Sequence, residues 1–295
     1  MNVNFTVNRG MVWVLFGTIL FSSKAIMVKF LYELGIGSLE LQTLRMLFVL
    51  PFYVAILLWS MRRTGLGSLS AKELLFCIAA GIACYHVASY LDLLGLQYIT
   101  AGLERIILFC YPAIAILFSW WFLDEKPNSR IWVALILSYL GIVVFFYADL
   151  GFGGEQIIWG SFLVFIASIF TAWYMVANQR FSRQIGSQRF VSIGMIAACI
   201  SLLIHSFSLG VADLSQYSNQ HYAGIAIMAI FMTLIPSFMI SAGVKQLGAS
   251  KAGIVGTIGP LFTIVLSNQL LGEPISLLHI LGLAFVLVGM HQLKA

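Results

Sequence analysis

The sequence contains little charge. Lysine and arginine total 16 and aspartate and glutamate total 11, so charged residues make up 9% of the 295-residue chain, against about a quarter in an ordinary soluble protein. Hydrophobic residues make up 61%. This composition excludes a soluble globular domain. The basic residues are scattered over short connections, which excludes a nucleic-acid-binding patch.

The sequence also lacks the motifs of common enzyme sites. It contains no His-Glu-x-x-His zinc motif, no Gly-x-Ser-x-Gly nucleophile turn, no paired acidic metal motif and no Walker A loop. The four cysteines lie inside apolar stretches, without the spacing of metal ligands or disulfides. We therefore expect no catalytic activity, no cofactor and no metal site.

About ten apolar stretches, each of roughly 17 to 24 residues, follow one another along the chain. With a rise of about 1.5 Å per residue, each is long enough to cross a hydrocarbon layer of about 30 Å. The chain is therefore predicted to be an all-α membrane protein with ten transmembrane helices. The predicted spans are 11–31, 38–60, 73–94, 98–122, 131–148, 157–178, 189–209, 222–244, 251–271 and 277–293.

Lysine and arginine are unevenly divided between the two sets of connections. Twelve of the sixteen fall in the termini and in alternate connections, whereas the opposite connections 32–37, 149–156 and 210–221 contain none. Positive residues are retained on the cytoplasmic side of a membrane. Both termini are therefore predicted to be cytoplasmic, with the chain in the cytoplasmic (inner) membrane.

The two halves of the sequence match each other when one is shifted by 148 residues. The shift superimposes Gly95 on Gly243, Pro112 on Pro260, Leu123 on Leu271, Glu125 on Glu273 and Gly141 on Gly289. The chain is thus predicted to contain two five-helix repeats, residues 1–148 and 149–295. Because five is odd, equivalent helices run in opposite directions and the repeats are inverted, which is the physical basis of alternating access.

Several motifs carry a resemblance to a known family. They are the first-helix stretch 21–29, Arg45 in the second helix, and a pattern of helix, proline, helix, Leu-x-Glu and late glycine in 95–141 that is repeated in 243–289. In these features the sequence resembles the EamA family of the drug/metabolite transporter superfamily over nearly its whole length. Lys24 occupies a position where that family commonly has a neutral polar residue. The resemblance implies ten helices in two inverted repeats around a central cavity, and transport of amino acids and related metabolites, often as export.

Charged residues inside the predicted spans form a candidate substrate site. Four of them lie six or seven residues, or roughly 10 Å, from the outer ends of their spans, and therefore form one layer. Polar residues of the third span lie at the same level or on an adjoining face. Charges at such depth usually face a cavity or a partner. The layer contains Lys24, Arg45, Glu104 and Arg105, and the third span adds Tyr85, His86, Ser89, Tyr90 and Asp92.

Two interpretations of this layer stay open. In the first, the charges only pair with one another and lock the helices together, with Arg105 on Asp92 and Glu104 on Arg45 or Lys24. In the second, the excess cation holds an anionic group of a substrate, because full pairing leaves one cation over. Under the second interpretation we expect Arg105 or Lys24 to bind the substrate and Glu104 to be the counter-charge.

Histidines and prolines supply further candidates. His86 is a candidate proton carrier, through which protons would act as the coupling ion. His205 lies near a span end and is expected only to pack, and Lys29 is expected to extend to the membrane surface. Three prolines interrupt spans and are candidate hinges, since they free backbone carbonyl groups. They are Pro112, Pro236 and Pro260.

The leading hypothesis is a secondary transporter that moves a small polar metabolite across the cytoplasmic membrane by alternating access. The solute is expected to be an amino acid or another carboxylate- or anion-bearing molecule, and the resemblance implies export. Its partners are the small-molecule substrate and the lipid bilayer. One alternative is a transporter of organic cations or drugs that uses Glu104 and Asp92, and another is a channel.

Overall fold

The computed structural model describes residues 9–64, 70–123, 129–150, 156–211, 214, 217–247, 255–256 and 258–292. Within these residues the chain is almost entirely helical and contains no strand. Two π-helical segments, Ile82–Ala88 and Ile230–Leu234, interrupt the α-helices. The α-helices are α1 (Arg9–Ser22), α2 (Lys24–Glu33), α3 (Ser38–Thr64), α4 (Ala71–Gly81), α5 (Ser89–Leu96), α6 (Ala101–Leu108), α7 (Tyr111–Leu123), α8 (Ser129–Asp149), α9 (Ile157–Ile185), α10 (Ser187–Ser208), α11 (Asn219–Ala229), α12 (Ile235–Leu247), α13 (Ile258–Leu271) and α14 (Leu277–Gln292).

Several helical rods of the described residues are long and apolar enough to cross a membrane. Seven meet that requirement, and each coincides with one of the predicted spans. We number these rods in chain order, so that the first rod is Arg9–Glu33 and the third rod is Ala71–Leu96. Three shorter apolar helices, Leu135–Asp149, Ile258–Leu271 and Leu277–Gly289, overlap three further predicted spans. The prediction of an all-helical, multi-pass membrane protein is confirmed. The count of ten spanning helices stays a prediction.

The long helices are interrupted at Ser23 and next to Pro236. Ser23 separates α1 from α2 directly before Lys24. The second π-helical segment begins 148 residues after the first, which is the shift that relates the two halves of the sequence. It also directly precedes α12, whose second residue is Pro236. A π-helical turn accommodates a residue that cannot donate a backbone N–H to the preceding turn.

The other two candidate hinges also lie near helix starts. Pro112 is the second residue of α7, after a turn at Phe109 and Cys110 that ends α6, and its side chain lies outside the described residues. Pro260 is a buried residue in the first turn of α13. A proline in the first helical turn removes no intrahelical hydrogen bond. Hinge motion at these three prolines stays a prediction.

Glycines set the closest approaches between the two halves of the chain. A Cβ atom on Gly81 of α4 would lie 2.1 Å from the Cα atom of Gly194 in α10. A Cβ atom on Gly141 would lie 2.5 Å from the carbonyl oxygen of Gly282, so α8 and α14 also cross with their backbones in contact. Small residues allow this because there is no side chain between the helices. The contacts of α4 with α10 and of α8 with α14 therefore depend on these glycines.

Replacing Gly81 by alanine should destabilise the fold by about 1–3 kcal/mol, because the added methyl group meets backbone that cannot move aside without separating the two helices. The matched control is Gly256→Ala, whose Cβ would find only the Thr18 hydroxyl oxygen at 3.9 Å. The thermal midpoint of the detergent-purified protein measures both changes. Equal midpoints for the two variants would contradict the close crossing at Gly81.

Candidate functional site

A buried ion pair joins the first and third rods. The Lys24 ammonium donates to Asp92 Oδ2 at 2.8 Å, and the two side chains are only 7% and 4% exposed. Lys24 is the first residue of α2, directly after the break at Ser23, and Asp92 lies in α5. The predicted pairing of Arg105 with Asp92 is therefore wrong, because Lys24 occupies that position instead.

Glu104 and Arg105 are consecutive residues in α6, which begins at Ala101 with Thr100 as its N-cap. Glu104 is fully buried, and Arg105 is 5% exposed. Arg105 Nε lies 3.8 Å from Glu104 Oε2, which is beyond hydrogen-bond distance. Arg105 also places its guanidinium 5.6 Å from the centre of the Phe21 ring, a cation–π contact.

Several polar atoms of this layer have unused hydrogen-bonding capacity. Among the described residues, no hydrogen-bond partner exists for Glu104 Oε1 and Oε2, Asp92 Oδ1, Arg45 Nε, or Arg105 Nε and Nη2. Buried polar groups are almost always hydrogen-bonded in folded proteins. Both donors and acceptors of this layer are thus available to a ligand.

Arg45 belongs to a neighbouring polar network. Its Nη2 atom donates to Gln42 Oε1 at 2.5 Å and to Ser89 Oγ at 2.6 Å. Gln42 in turn donates to the backbone carbonyl of Tyr85, within the first π-helical segment. Arg45 therefore binds neutral oxygens rather than Glu104, so the predicted pairing of these two residues is also wrong.

His86 connects the third rod to α10 of the second half of the chain. Its Nδ1 atom lies 2.9 Å from Ser201 Oγ, and its Nε2 atom lies 3.0 Å from His205 Nδ1. Tyr90 packs edge-on against the His205 ring, with 5.4 Å between ring centroids. The polar residues of the third span thus contact two different sets of residues. Asp92 and Ser89 face the charged residues, whereas His86 and Tyr90 face α10.

Tyr85 makes a further contact between the halves. Its hydroxyl group lies 2.7 Å from the hydroxyl group of Tyr174 in α9, and the two rings pack edge to face. Tyr85 therefore contributes its carbonyl group to the Arg45 network and its side chain to α9.

A second polar cluster lies at one end of the helix bundle. We call this end of the bundle the Asp149 end. Asp149 at the end of α8 accepts from Thr100 Oγ1 at 2.6 Å, and its other oxygen lies 2.8 Å from His279 Nε2. The Glu273 carboxylate accepts from the backbone N–H of Ala101 at 2.8 Å and so caps α6. This cluster ties α6, α8, α13 and α14 together at one level.

The chain as a whole is similar to known membrane transporters. The model of the EamA-like transporter family matches residues 8–147 and again residues 158–291. This chain belongs to the EamA-like transporter family. Similar relatives include the uncharacterized transporter YcbK of Bacillus subtilis, 27% identical over 97% of this chain and 93% of the relative. An uncharacterized transporter of Clostridium kluyveri is 24% identical over 96% of this chain and 92% of the relative.

A solved structure shares this fold. It is described only as the crystal structure of a protein, and it matches with a TM-score of 0.67 over 97% of this chain and 96% of that chain, at 14% identity. The resemblance predicted from the sequence is confirmed by the family match. This EamA-family chain is therefore a membrane transporter, which binds a small-molecule substrate and is embedded in lipid.

The charged layer of the transporter is closed in this structure. The exposed fractions of Lys24, Arg45, Asp92, Glu104 and Arg105 lie between 0% and 5%. A cavity of about 440 Å³ lies elsewhere, beside residues 32–37, with Lys29 and Gln97 in its lining. A solute could reach the layer only after helices separate.

Some contributors to the site were missed from the sequence. Gln42 precedes Arg45 by three residues and therefore shares its helix face, a signal that was present in the spacing. His205 was expected only to pack near a span end, yet it bonds His86. Lys29 was expected to extend to the membrane surface. It is half-buried and donates at 2.6 Å to the carbonyl of Ile99, in the connection between α5 and α6, a bond that residue spacing did not predict.

Proposed function

We propose that this EamA-family transporter is a secondary transporter for a small solute bearing a carboxylate or another anionic group, such as an amino acid. The solute binds in the layer of Lys24, Arg45, Asp92, Glu104 and Arg105. Alternating access moves it across the cytoplasmic membrane, and export is the direction implied by the family resemblance. Both chain termini are cytoplasmic in this proposal, in agreement with the distribution of lysine and arginine.

The observation that carries this proposal is the unused donor capacity of two buried arginines. Arg105 has two nitrogen atoms, and Arg45 one, without a hydrogen-bond acceptor among the described residues. Guanidinium groups stay charged inside proteins and match the geometry of a carboxylate or phosphate. Three cations face two acids in the layer, so an anionic group would complete its charge balance.

Two observations support inverted repeats, residues 1–148 and 149–295, and alternating access between them. The family model matches the chain twice, in residues 8–147 and 158–291. The π-helical segments begin 148 residues apart. Inverted repeats favour two interconvertible arrangements around a site at their interface. The polar cluster at the Asp149 end would hold one such arrangement closed.

A second candidate function is transport of organic cations. It is favoured by Glu104, whose two carboxylate oxygens are buried without a hydrogen-bond donor among the described residues, and by the free Oδ1 atom of Asp92. An ammonium group could bind these oxygens. A zwitterionic amino acid would use both the acidic and the basic atoms.

A thermal-shift screen of the purified protein in detergent tests the proposal. The ligands are amino acids, organic anions, phosphorylated metabolites and organic cations, each at two pH values. A ligand present at a hundred times its Kd stabilises the folded state by about 2.7 kcal/mol, which raises the thermal midpoint measurably. We expect stabilisation by carboxylates. Stabilisation by organic cations alone would replace the first proposal by the second.

A further inference from the structure

Arg45 is a buried cation whose charge is not balanced by a nearby acid. Its side chain belongs to a residue that is 5% exposed, and its Nη2 atom donates to the neutral oxygens of Gln42 and Ser89. Within the described part of the chain, no carboxylate forms an ion pair with Arg45, and its Nε atom has no hydrogen-bond acceptor. A buried charge without a counter-charge costs free energy. Arg45 is therefore suited to bind an anionic group that enters with the solute.

The other four charges of the layer form two ion pairs. The Lys24 ammonium lies 2.8 Å from Asp92, and Arg105 lies 3.8 Å from Glu104. Three cations against two acids leave the layer with a net charge of +1, which is located on Arg45. A solute that carries one net negative charge would neutralise the layer.

Two arginines lie beside the ion pair that joins the first and third rods. Arg45 contacts Ser89, which precedes the acid of that pair by three residues on α5. Arg105 contacts the ring of Phe21, which precedes the lysine of the pair by three residues on the first rod. Three residues correspond to about one helical turn. The two guanidinium groups thus lie next to different helices of the pair, and they offer two separate binding points for anionic groups.

The layer also contains unused acceptors. Glu104 Oε1 and Oε2 and Asp92 Oδ1 have no hydrogen-bond donor among the residues that the structure describes. An ammonium group has three N–H donors and no acceptor, whereas a guanidinium group matches a carboxylate. The unused atoms of the layer therefore match a molecule that has two carboxylate groups and one ammonium group.

We propose that the solute of this transporter is an acidic amino acid and that one of its two carboxylates binds Arg45. Under the proposed function, on which this inference rests, Arg105 binds the other carboxylate. The ammonium group binds Glu104. Such a solute carries one net negative charge and neutralises the layer. Gln42 and Ser89 are positioning residues, because they hold Arg45 Nη2 and leave its Nε atom to the solute.

Isothermal titration calorimetry of the purified protein with free glutamate, glutamine and glutarate tests this assignment. Glutamine has the size of glutamate but a neutral side chain, and glutarate has both carboxylates but no ammonium group. We expect wild type to bind glutamate roughly 30-fold or more tightly than glutamine, because glutamine leaves a buried guanidinium group unpaired. Glutarate should bind more weakly than glutamate. Aspartate, asparagine and succinate form a second set of the same design with a shorter chain.

The Arg45→Gln variant should lose the preference for the acidic amino acid and bind both members of each pair with equal affinity. The matched control is Arg9→Gln, which removes an exposed arginine at the start of α1 and should keep the wild-type preference. If Arg45→Gln is not recovered as monodisperse protein, Arg45→Lys takes its place. It should bind the acidic amino acid more weakly than wild type does, because an ammonium group lacks the planar pair of donors. Wild-type affinity in that variant would count against Arg45.

Equal affinity of wild type for the acidic and the neutral amino acid in both sets would overturn the inference and leave the proposed function standing. An unchanged preference in Arg45→Gln would have the same consequence. Binding of glutarate or succinate as tight as that of the matching amino acid would overturn the role of the ammonium group. If no carboxylate of the thermal-shift screen binds, the proposed function and this inference fail together.

Discussion

The Arg105→Gln variant should fold and insert normally but lose its response to carboxylate ligands. The side chain of Arg105 leaves Nε and Nη2 without hydrogen bonds to the described residues, so its removal breaks few native contacts. A ligand bound through the guanidinium group, in contrast, loses a charge-assisted contact worth about 2–5 kcal/mol.

Isothermal titration calorimetry with the carboxylate that gives the largest thermal shift measures this loss of binding free energy. At about 1.4 kcal/mol per tenfold change in Kd, we expect Kd to rise roughly 30-fold or more. Arg62→Gln is the matched control. Arg62 is an exposed arginine near the end of α3, and its replacement should leave Kd unchanged. Wild-type affinity in a well-folded Arg105→Gln protein would remove Arg105 from the binding site.

Breaking the Lys24–Asp92 pair should destabilise the protein more than removing both charges. The two side chains are nearly fully buried, and they make a 2.8 Å hydrogen bond. Removing one partner of a buried pair typically costs about 3–5 kcal/mol, whereas replacing both by apolar residues is often close to neutral. Lys24→Met and Asp92→Leu should therefore each lower stability, and the double variant should recover most of the loss.

Unfolding of the four proteins in mixed detergent micelles gives the coupling energy of this pair. We expect the double variant to regain most of the unfolding free energy that the two single variants lose, which corresponds to a favourable coupling energy between Lys24 and Asp92. If the losses of Lys24→Met and Asp92→Leu simply add, the pair is not a structural unit. The binding assay on Lys24→Met is a separate test, because Lys24 is already engaged by Asp92 and should affect carboxylate affinity less than Arg105 does.

The charged layer was predictable from the sequence because depth along a helix follows from counting residues. Lys24, Arg45, Glu104 and Arg105 were placed at a common level, with Asp92 on an adjoining face, and the structure pairs Lys24 with Asp92 and Arg105 with Glu104. The pairing was not predictable. It depends on how each helix is rotated and on the break at Ser23, which residue spacing does not determine.

The histidine pair shows a second limit of sequence reasoning. His86 was recognised as polar, but His205 was assigned to the end of its span. Gly81 and Gly194 bring the backbones of the third rod and α10 into contact, and this approach places His86 against Ser201 and His205. Such a contact joins residues 119 positions apart. Periodicity within one helix carries no information about it.

Counterflow in proteoliposomes tests alternating access most directly. Vesicles that contain the purified transporter are loaded with the unlabelled carboxylate that stabilises it best, and labelled carboxylate is added outside at low concentration. The account predicts that the label accumulates transiently above its equilibrium level, and that Arg105→Gln abolishes this overshoot. Entry of label that rises only to equilibrium, with no overshoot in wild type, would contradict an occluded carrier and favour a channel.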